Sequence, residues 1–421
     1  MSVIKEKKIA VLGLGYVGLP LAVGLSSSYR IIGFDISLNR ISQLIKGNDE
    51  TLEVKKEKLK KCLKKNLILT NDYRDVSECN IFIATVPTPI TNKKKPDFRP
   101  LKSVCRIISK VLKRGDIVVF ESTVYPGATE EICAPELEKN KLSLKSGKDF
   151  FLGYSPERVN PGDKVHTIDK IDKVISGQNK KVERVLENIY SKLTKGKIFI
   201  ANSIKVAEAS KVIENSQRDI NIAFINEVAK ICNKLNISVF DVLKASSTKW
   251  NFLNFEPGLV GGHCIGVDPY YLSHKSKNIG IDPKVILSGR KTNDEMPNFI
   301  AKIIDQIAKA KSKILFLGMT FKEDVPDLRN SKSFDLIKSL KKRKYKVYLH
   351  DPFIKDEKHK VIDFCSIKKS EFDGIIIAVP HKFYLTKVDQ IKTFLKPEGF
   401  IFDIKGKINL SRDDKINYLS L

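Results

Sequence analysis

One short stretch of the chain combines a potential nucleophile with the glycines that would expose it. It reads Gly261-Gly262-His263-Cys264-Ile265-Gly266-Val267-Asp268-Pro269. A cysteine thiolate is a strong nucleophile, and glycines on both sides let the backbone approach a substrate closely. Asp268 follows four residues after Cys264 and could orient water or a proton. The alternative is that Cys264 is a buried apolar residue, because free cysteines are often buried.

The composition is typical of a soluble protein of two or three domains from a reducing compartment. The chain has 421 residues, 42% of them hydrophobic, and seven scattered cysteines without a C-x-x-C pair. This cysteine usage predicts neither a disulfide framework nor a zinc site, and we expect no metal. The charged start, Met1 to Lys8, does not resemble a signal peptide, and no apolar run approaches the ~20 residues of a membrane span. We therefore expect a cytoplasmic protein without a membrane partner.

A formal net charge of +26 raises the hypothesis of nucleic-acid binding. The lysines are spread along the whole chain, in runs such as Lys93–Lys95 and Lys341–Lys344, and no helix-turn-helix or aromatic-interleaved basic motif occurs. This distribution is more typical of solvated lysine-rich surfaces, so we expect no nucleic-acid partner. Binding of a small anion is compatible with either interpretation.

The first 35 residues have the order of a dinucleotide-binding βαβ unit. The apolar strand Lys8–Leu12 leads into Gly13-Leu14-Gly15-Tyr16-Val17-Gly18 and a helix, and the second strand, Arg30–Phe34, ends at Asp35. The first glycine makes the tight turn, the second admits the pyrophosphate, and the third lets helix and strand pack closely. An acidic residue at position 35 favours NAD, because it would repel the 2′-phosphate of NADP, whereas Arg40 leaves NADP open.

Three further apolar strands end in loops that carry hydroxyl or charged groups. The strands are predicted at 80–86, 116–121 and 150–154. Ligands bind at the carboxyl ends of strands in open α/β sheets. The loops there contain Thr88, Thr123 and the pair Glu157 and Arg158, an acid or base beside a cation. Ordinary turn chemistry is the alternative for each loop taken alone.

A helical region and a second α/β unit follow. Between Ile204 and Leu243 glycine and proline are absent and apolar residues recur at helical spacing, which predicts one or two long helices. Lys211 and Asn215 share a face there, with Arg218 three residues on, although this could be a solvated polar stripe. Helical spacing resumes from 283 to 309. Strands are then predicted to begin at 313, 346, 374 and 400. Lys322 and Lys405 lie at the ends of two of these strands, where they could bind a pyrophosphate or could equally be surface lysines.

Over essentially the whole chain these residues resemble the nucleotide-sugar 6-dehydrogenases, the family of UDP-glucose and GDP-mannose dehydrogenases. The motifs that carry the resemblance are Gly13–Gly18 with Leu19-Pro20, Val86-Pro87-Thr88-Pro89, Glu121-Ser122-Thr123, Ser155-Pro156-Glu157, Lys211 with Asn215, Gly261–Cys264 with Asp268, and Phe321-Lys322 with Asp327 to Ser331. Ser155–Asp163 and Asn215–Asp219 are most similar to the branch that acts on UDP-N-acetylhexosamines. UDP-glucose enzymes usually carry Phe-Leu after the glutamate.

The resemblance implies an α/β fold of two Rossmann-like, doubly wound parallel-sheet domains joined by a central helical domain. We expect an NAD-binding domain at 1–203, a helical domain with the cysteine loop and a dimerisation surface at 204–311, and a UDP-sugar-binding domain at 312–421. The long central helices favour pairing between subunits, so we expect a homodimer or a higher homo-oligomer.

The implied reaction oxidises the C6 alcohol of a UDP-sugar to a carboxylate with two NAD⁺, through a thiohemiacetal and a thioester on cysteine. The catalytic residues that it implies are Cys264, Lys211, Asp268, Asn215, Glu157 and Thr123. The NAD-binding residues would be Gly13, Gly15, Tyr16, Val17, Gly18, Asp35, Arg40, Thr88, Thr123 and Arg329. The UDP-sugar would bind Arg158, Val159, Lys211, Asn215, Arg218, Phe255, Gly261, Phe321, Lys322 and Lys405.

We expect UDP-GlcNAc or UDP-GalNAc as substrate, for surface polysaccharide biosynthesis, with UDP-glucose or UDP-ManNAc as the alternative. One departure concerns an arginine that UDP-glucose enzymes extend into the neighbouring subunit. This chain reads Ser247-Thr248-Lys249-Trp250 there, so Lys249 would be the substitute cation. A basic Rossmann protein that senses NAD or binds nucleic acid without catalysis is the alternative from a different class.

Overall fold

A computed structural model describes residues 7–160, 162–163, 165–263, 265–354, 359–408 and 416–421. The chain divides into two units, one formed by Met1–Glu214 and Tyr270–Asp282, the other by Asn215–Pro269 and Pro283–Leu421. The candidate nucleophile Cys264 lies outside the described residues. The three-domain division at 203/204 and 311/312 is a different partition of the chain, and it stays a prediction.

The first unit contains an eight-stranded sheet. Its strands are β1 (Lys8–Leu12), β2 (Arg30–Phe34), β3 (Leu67–Thr70), β4 (Ile81–Ala84), β5 (Ile117–Phe120), β6 (Phe151–Tyr154), β7 (Lys173–Gly177) and β8 (Ile198–Ile200). Their order across the sheet is β3-β2-β1-β4-β5-β6-β7-β8. Neighbouring strands run parallel except β6 and β7, which are antiparallel. The chain order reverses between β1 and β4, which is where such sheets form a ligand crevice.

Helices cover the sheet of the first unit. They are α1 (Gly18–Leu25), α2 (Leu38–Ile45), α3 (Lys56–Leu63), α4 (Arg99–Ser109), α5 (Ala134–Leu137) and α6 (Lys180–Tyr190). The central strands β1, β4 and β5 are buried on both faces, as their uninterrupted apolar sequences require. Helix α1 is apolar on nearly every side and packs into the same core. The glycine turn before it is therefore held by a rigid sheet and a buried helix.

Four helices follow in the chain. They are α7 (Ile204–Leu235), α8 (Val239–Ser246), α9 (Asp268–Asn278) and α10 (Lys284–Ile307). The predicted long helices are confirmed by α7, α8 and α10. Helix α9 was not predicted, and Asp268 is its first residue. The chain passes from one unit to the other inside α7, inside α9 and between Asp282 and Pro283, just before α10. In the described part of the chain, no helix combines the length and apolarity that a membrane span needs.

The second unit contains a five-stranded parallel sheet. Its strands and remaining helices are β9 (Lys313–Leu317), α11 (Lys332–Lys342), β10 (Lys346–His350), β11 (Phe372–Ile377), α12 (Lys382–Leu385), α13 (Val388–Thr393), β12 (Leu395–Asp403) and β13 (Asn417–Ser420). The order is β10-β9-β11-β12-β13, with every pair parallel. The chain order reverses between β9 and β11, which makes this the switch point of the sheet, the place where such sheets form a ligand crevice.

The predicted fold class is confirmed: two Rossmann-like sheets with helices between them in the chain. One detail differs, since the predicted all-parallel first sheet contains the antiparallel pair β6/β7. Strands β3, β7, β8 and β13 were not predicted either. Each has only three to five residues. The predicted strands β4, β5 and β6 are equally short but buried at every position, whereas β3, β8 and β13 are only partly buried and β7 contains a lysine and a serine. Mixed segments of this kind are hard to tell from loops in a sequence.

Candidate active site

The glycine turn after β1 has the shape that a bound dinucleotide requires. Gly13 has φ +98°, and a Cβ there would lie 3.2 Å from the backbone of Thr85. A Cβ on Gly18 would lie only 1.8 Å from the carbonyl oxygen of Gly13. Gly15, by contrast, has nothing within 4 Å of its Cβ position. The protein therefore packs tightly around Gly13 and Gly18 and leaves open space at Gly15. This arrangement fits the binding of an NAD pyrophosphate.

Asp35 lies at the carboxyl end of β2, next to this turn. Its Oδ2 accepts a hydrogen bond from the Leu14 N–H at 2.9 Å and its Oδ1 accepts one from the Ser37 N–H at 2.9 Å. Each carboxylate oxygen keeps a further lone pair, so the group can still accept the two hydroxyls of an adenosine ribose. The carboxylate thus fixes the turn and presents a negative charge beside it.

Arg40 is committed to a buried ion pair. Its guanidinium donates to the Leu14 carbonyl oxygen at 2.9 Å and to the Asp49 carboxylate at 2.8 Å, and its side chain is only 7% exposed. Because Asp49 neutralises Arg40, Asp35 remains the charge that a ribose 2′-phosphate would meet. The ambiguity between NAD and NADP that Arg40 left open in the sequence is therefore resolved towards NAD.

Neighbouring loops support the turn through side chains that sequence reasoning missed. The Thr85 hydroxyl donates to the Gly13 carbonyl oxygen at 2.6 Å, so the end of β4 locks the turn. The Ser122 hydroxyl donates to the Val86 carbonyl oxygen at 2.6 Å and thereby joins the loops of Thr88 and Thr123. Both threonines are half-buried. In the sequence, the one feature that could have indicated the contacts of Thr85 and Ser122 is that both residues follow the end of a strand.

Glu157 is buried and fully engaged in hydrogen bonds. Its Oε1 accepts from the N–H groups of Arg158 at 2.7 Å and Val159 at 2.6 Å, and its Oε2 lies 3.1 Å from Lys173 Nζ. Burial raises the pKa of Glu157, but the charge and hydrogen bond of Lys173, together with the hydrogen bond from the Val159 N–H and the charge of Lys211, outweigh burial and hold the pKa below its usual range. Glu157 is therefore an anchored carboxylate. The Arg158 guanidinium forms an ion pair with Glu214 at 3.0 Å.

Helix α7 carries the predicted Lys211, Asn215 and Arg218. Lys211 is buried, in the first unit, and Arg218 is exposed. The Asn215 side chain donates to the carboxylate of Asp268, the buried first residue of α9. Two residues 53 positions apart that were both predicted to be catalytic are thus brought together in the second unit.

The cysteine loop needs its glycines for close backbone contact. A Cβ on Gly261 would lie 2.5 Å from the Asn330 carbonyl oxygen. Gly262 has φ +85°, and a Cβ there would lie 2.6 Å from the Phe321 ring. His263 Nδ1 lies 3.4 Å from the Asp327 carboxylate and 3.3 Å from the Arg329 guanidinium. The loop is therefore seated on the segment from Phe321 to Asn330.

Asp327 is the charged centre of that segment. Burial raises its pKa, but hydrogen bonds from His263 and Arg329 outweigh this and hold the pKa well below its usual value. Arg329 was predicted to bind NAD, and the structure shows its guanidinium paired with Asp327 at 2.6 Å. This ion pair lies in the second unit.

A pocket of the second unit collects three residues predicted to bind substrate. Gly261, Phe321 and Lys405 line it. The other lining residues are Leu259, Thr320, Ser331, Lys332, Ser333, Ala378 and Val379. The pocket opens at the carboxyl ends of β9 and β11, the switch point of this sheet. Lys405 Nζ forms an ion pair with Glu323, while Phe255 and Lys322 are half-buried.

The two units repeat one hydrogen-bond arrangement and then diverge. Gly318 N–H donates to the His350 carbonyl oxygen, and the Asp351 carboxylate accepts from Met319 N–H, as Gly13 and Asp35 do in the first unit. In the second unit, however, the next α-helix begins only at Lys332. In the second unit, the loop before this helix supplies side chains to the pocket. In the first unit, the N-terminus of α1 occupies the corresponding position after the glycine turn. The first unit is therefore suited to a pyrophosphate and the second to a differently shaped ligand.

Family models cover nearly the whole chain. Residues 7–194 match the NAD binding domain of the UDP-glucose/GDP-mannose dehydrogenase family, residues 205–295 its central domain and residues 315–409 its UDP binding domain.

Individual relatives match the chain from end to end. The UDP-N-acetyl-D-glucosamine 6-dehydrogenase of Pseudomonas aeruginosa is 46% identical over 97% of this chain and 99% of its own length. The protein CapL of Staphylococcus aureus is 48% identical over 98% of both chains. Among solved structures, the UDP-D-ManNAc dehydrogenase of Pyrococcus horikoshii superposes with a TM-score of 0.86 at 30% identity and covers 98% of each chain.

Proposed function

Because the chain belongs to the UDP-glucose/GDP-mannose dehydrogenase family and is an NAD-dependent UDP-sugar 6-dehydrogenase, we propose that its substrate is a UDP-N-acetylhexosamine, either UDP-GlcNAc or UDP-GalNAc. The observation that carries this proposal is the 46% identity over 97% of the chain with a UDP-N-acetyl-D-glucosamine 6-dehydrogenase. UDP-ManNAc is the second candidate, favoured by the likeness to the solved UDP-D-ManNAc dehydrogenase. UDP-glucose is a weaker alternative.

The first unit would hold NAD, which accepts the hydride when bound. We assign NAD binding to Gly13, Gly15, Tyr16, Val17, Gly18, Asp35, Arg40, Thr88, Thr123 and Arg329. The open space at Gly15 and the carboxylate of Asp35 support the assignment. Arg40 would act by holding Leu14 and Asp49, since its guanidinium already bonds to both.

Cys264 would be the nucleophile that retains the substrate between the two oxidation steps. Its thiolate adds to the C6 aldehyde carbon and forms a thiohemiacetal. Transfer of a second hydride, for which bound NAD⁺ would be the acceptor, would leave a thioester, and attack of water on the acyl carbon would release the carboxylate and return the thiol. A thiol with a pKa near ~8.5 is only partly ionised at neutral pH, so a nearby cation would favour the reactive thiolate.

The remaining catalytic residues would manage charge and water. Lys211 would stabilise negative charge on the C6 oxygen and assist proton transfer. Asp268, whose orientation Asn215 fixes by a hydrogen bond, would hold the hydrolytic water together with Thr123. Glu157 is a candidate base for that water, although its low pKa makes it a weak one.

The UDP-sugar would be bound by cationic, polar and apolar residues. We assign Arg158, Val159, Lys211, Asn215, Arg218, Phe255, Gly261, Phe321, Lys322 and Lys405 to it. The pocket lined by Gly261, Phe321 and Lys405 supports this assignment for the second unit. A diphosphate is matched by Lys322 and Lys405, which carry positive charge.

We further propose that the enzyme is a cytoplasmic homodimer or higher homo-oligomer that serves surface polysaccharide biosynthesis. Exposed apolar side chains on α7, among them Phe224, Ile231 and Leu235, support self-association. Lys249, which is exposed, is proposed as the cation that replaces the family's inter-subunit arginine. Loss of an acidic surface polysaccharide in a strain that lacks the gene would test the biological role.

The substrate proposal is tested by NADH formation with UDP-GlcNAc, UDP-GalNAc, UDP-ManNAc, UDP-glucose and GDP-mannose. We expect the highest kcat/KM with UDP-GlcNAc or UDP-GalNAc and two NADH for each sugar oxidised. A highest kcat/KM with UDP-ManNAc would transfer the assignment to the second candidate, and equal rates with all five would refute the substrate class. No NADH with any of them would favour a non-catalytic protein.

The covalent mechanism is tested by Cys264→Ser, with Cys365→Ser as the control because Cys365 is exposed and outside the proposed machinery. We expect Cys264→Ser to abolish steady turnover and Cys365→Ser to retain it. Full turnover by Cys264→Ala would rule out the thiohemiacetal.

A further inference from the structure

Lys173 is a fully buried cation that bonds to two buried carboxylates. Its Nζ donates to Glu121 Oε2 at 2.7 Å and to Glu157 Oε2 at 3.1 Å. Both Lys173 and Glu121 have no exposed side-chain surface, and Glu157 is 7% exposed. The Tyr190 hydroxyl bonds to the other oxygen of Glu121, and the Tyr190 ring lies 5.3 Å from Lys173 Nζ. An unpaired charge at such depth is strongly unfavourable, so these groups depend on one another.

The reversed direction of β7 explains why this lysine lies there. Lys173 is the first residue of β7, and β7 runs antiparallel to β6. Its first residue therefore lies at the edge where β5 and β6 end, which is the edge that binds ligands. A parallel β7 would have placed Lys173 at the opposite edge of the sheet.

At that edge, the two carboxylates belong to two different functional loops. Glu121 immediately precedes Ser122 and Thr123, after β5. Glu157 follows β6, and its carboxylate holds the N–H groups of Arg158 and Val159. The Lys173 side chain is thus a direct link between the loop of Thr123 and the loop of Arg158.

We propose that Lys173 is a positioning residue of the dehydrogenase reaction, which fixes the loops of Thr123 and Glu157 relative to each other and keeps Glu157 as the carboxylate that anchors the Arg158 backbone. The proposal rests on the proposed function, since it assigns Thr123 and Arg158 to the water and the substrate. We assign Lys173 no contact of its own with the substrate or the cofactor.

The charges around Glu157 support this role. Glu157 is influenced by Lys173 from β7, Lys211 from α7 and Glu121 from the end of β5, and Tyr190 from α6 bonds to Glu121. Burial raises the pKa of Glu121. Burial is also the largest single influence on Glu157, but the charge and hydrogen bond of Lys173, the Val159 N–H and the charge of Lys211 together outweigh it and lower the pKa of Glu157. Lys173 is therefore the main counter-charge that keeps Glu157 ionised, and Lys211 adds to it.

The decisive variant is Lys173→Met, compared with Lys173→Arg, which keeps the charge. Without the cation the pKa of Glu157 rises, because two buried carboxylates then face each other. We expect the acid limb of the kcat profile to move up by about one pH unit or more. We also expect kcat near neutral pH to fall by up to about a hundredfold, because the two loops lose their common anchor. Lys173→Arg is expected to keep most of the wild-type kcat and an acid limb close to that of the wild type.

Lys180→Met is the matched control, because the Lys180 side chain is 82% exposed and lies on α6 of the same unit. It is expected to leave kcat and the pH profile unchanged. Each variant is assayed with NAD and the best UDP-sugar, and its melting temperature and NAD affinity report folding. A Lys173→Met protein with lower melting temperature but the wild-type pH profile and kcat would refute the proposal and leave Lys173 a structural residue.

If Lys173→Met does not fold, the double variant Lys173→Met/Glu121→Gln removes one buried carboxylate together with the cation. Glu157 still lacks its main counter-charge there, so the acid limb is again expected at higher pH, and an unshifted limb refutes the proposal. Wild-type protein that oxidises no UDP-sugar would overturn the proposed function instead. Active wild type with unaffected Lys173 variants overturns only the role of Lys173.

Discussion

At the scale of residues, two glycines of the first turn are required for different physical reasons. Gly18 has no room for a side chain, because its Cβ position lies 1.8 Å from the Gly13 carbonyl oxygen. Gly15 has empty space at its Cβ position. Packing within the protein therefore requires glycine at position 18. At position 15 the requirement would come from ligand binding.

Alanine substitutions separate the two reasons. We expect Gly18→Ala to lower the free energy of unfolding by roughly 2 kcal/mol or more, because helix and strand must move apart. Gly15→Ala is expected to leave the melting temperature unchanged and to weaken NAD binding at least about tenfold, because its methyl group enters the ligand's space. Thermal unfolding measures the stability of each variant, and NAD titration measures its affinity for NAD. An unchanged NAD affinity in Gly15→Ala would contradict the proposal that NAD occupies the space at Gly15.

Asp35 combines a structural and an electrostatic role, which its amide analogue separates. Asp35→Asn keeps an oxygen that can accept the Leu14 N–H, removes the negative charge and gives up only the exposed hydrogen bond from the Ser37 N–H. We expect the ratio of kcat/KM for NAD to that for NADP to fall about tenfold or more, with little change in melting temperature. Steady-state kinetics with both cofactors checks this. An unchanged ratio would show that Asp35 does not determine cofactor choice.

At the scale of elements, α7 is tied to the loop that follows Thr123. Glu208 is fully buried on α7, and its carboxylate accepts from the N–H groups of Gly127 and Thr129. Lys211 follows Glu208 by less than one helical turn. The helix that carries the proposed catalytic lysine is thus anchored to the sheet edge by a second buried carboxylate, which sequence reasoning also missed.

Glu208 makes the stability of the protein depend on pH. Burial raises its pKa from 4.5 to about 7. Since the folded state binds this proton more tightly than the unfolded state, the contribution is fully present below about pH 4.5 and is lost as pH rises through about 7. A shift of this size corresponds to about 3 kcal/mol. Glu208→Gln is expected to gain stability relative to wild type by up to that amount between pH 5 and pH 8.

Denaturant unfolding of wild type and Glu208→Gln at both pH values measures the difference. Glu130→Gln is the control, because the Glu130 side chain is 44% exposed, and its stability difference is expected to stay constant. A constant difference for Glu208→Gln as well would mean that Glu208 has an ordinary pKa in the folded protein.

At the scale of the whole molecule, each unit has its own sheet and its own ligand edge. The first unit matches an NAD binding domain and the second a UDP binding domain. Both sheets reverse their chain order next to the glycine turn, at β1/β4 and at β9/β11. The glycine turn with an acidic partner is thus repeated in both units.

Exposed apolar residues of α7 predict an oligomer. Phe224, Ile231 and Leu235 are each more than half exposed and are spaced by seven and four residues, so they share one helix face. We expect Phe224→Lys with Ile231→Lys to shift the protein to the monomer in light scattering. Leu142→Lys, an equal change at an exposed apolar residue of a turn, is the control. A wild-type protein that is already monomeric would contradict the dimer.

The sequence by itself determined the fold class, the cofactor turn and the candidate nucleophile. Apolar strands followed by a glycine turn and an acidic residue make a local pattern, because the residues that build one βαβ unit are neighbours in the chain. The same locality explains why Gly13–Gly18, Asp35 and the long helix α7 were found where the structure has them.

The tertiary structure alone decided which charges meet. Lys173 belongs to no recognisable motif, and its role depends on the direction of β7, a five-residue strand whose sequence does not show which way it runs in the sheet. Glu208 and Asn215 are likewise defined by partners that lie 53 or more positions away. Such contacts arise from strand order and helix packing, so they exist only once the chain has folded.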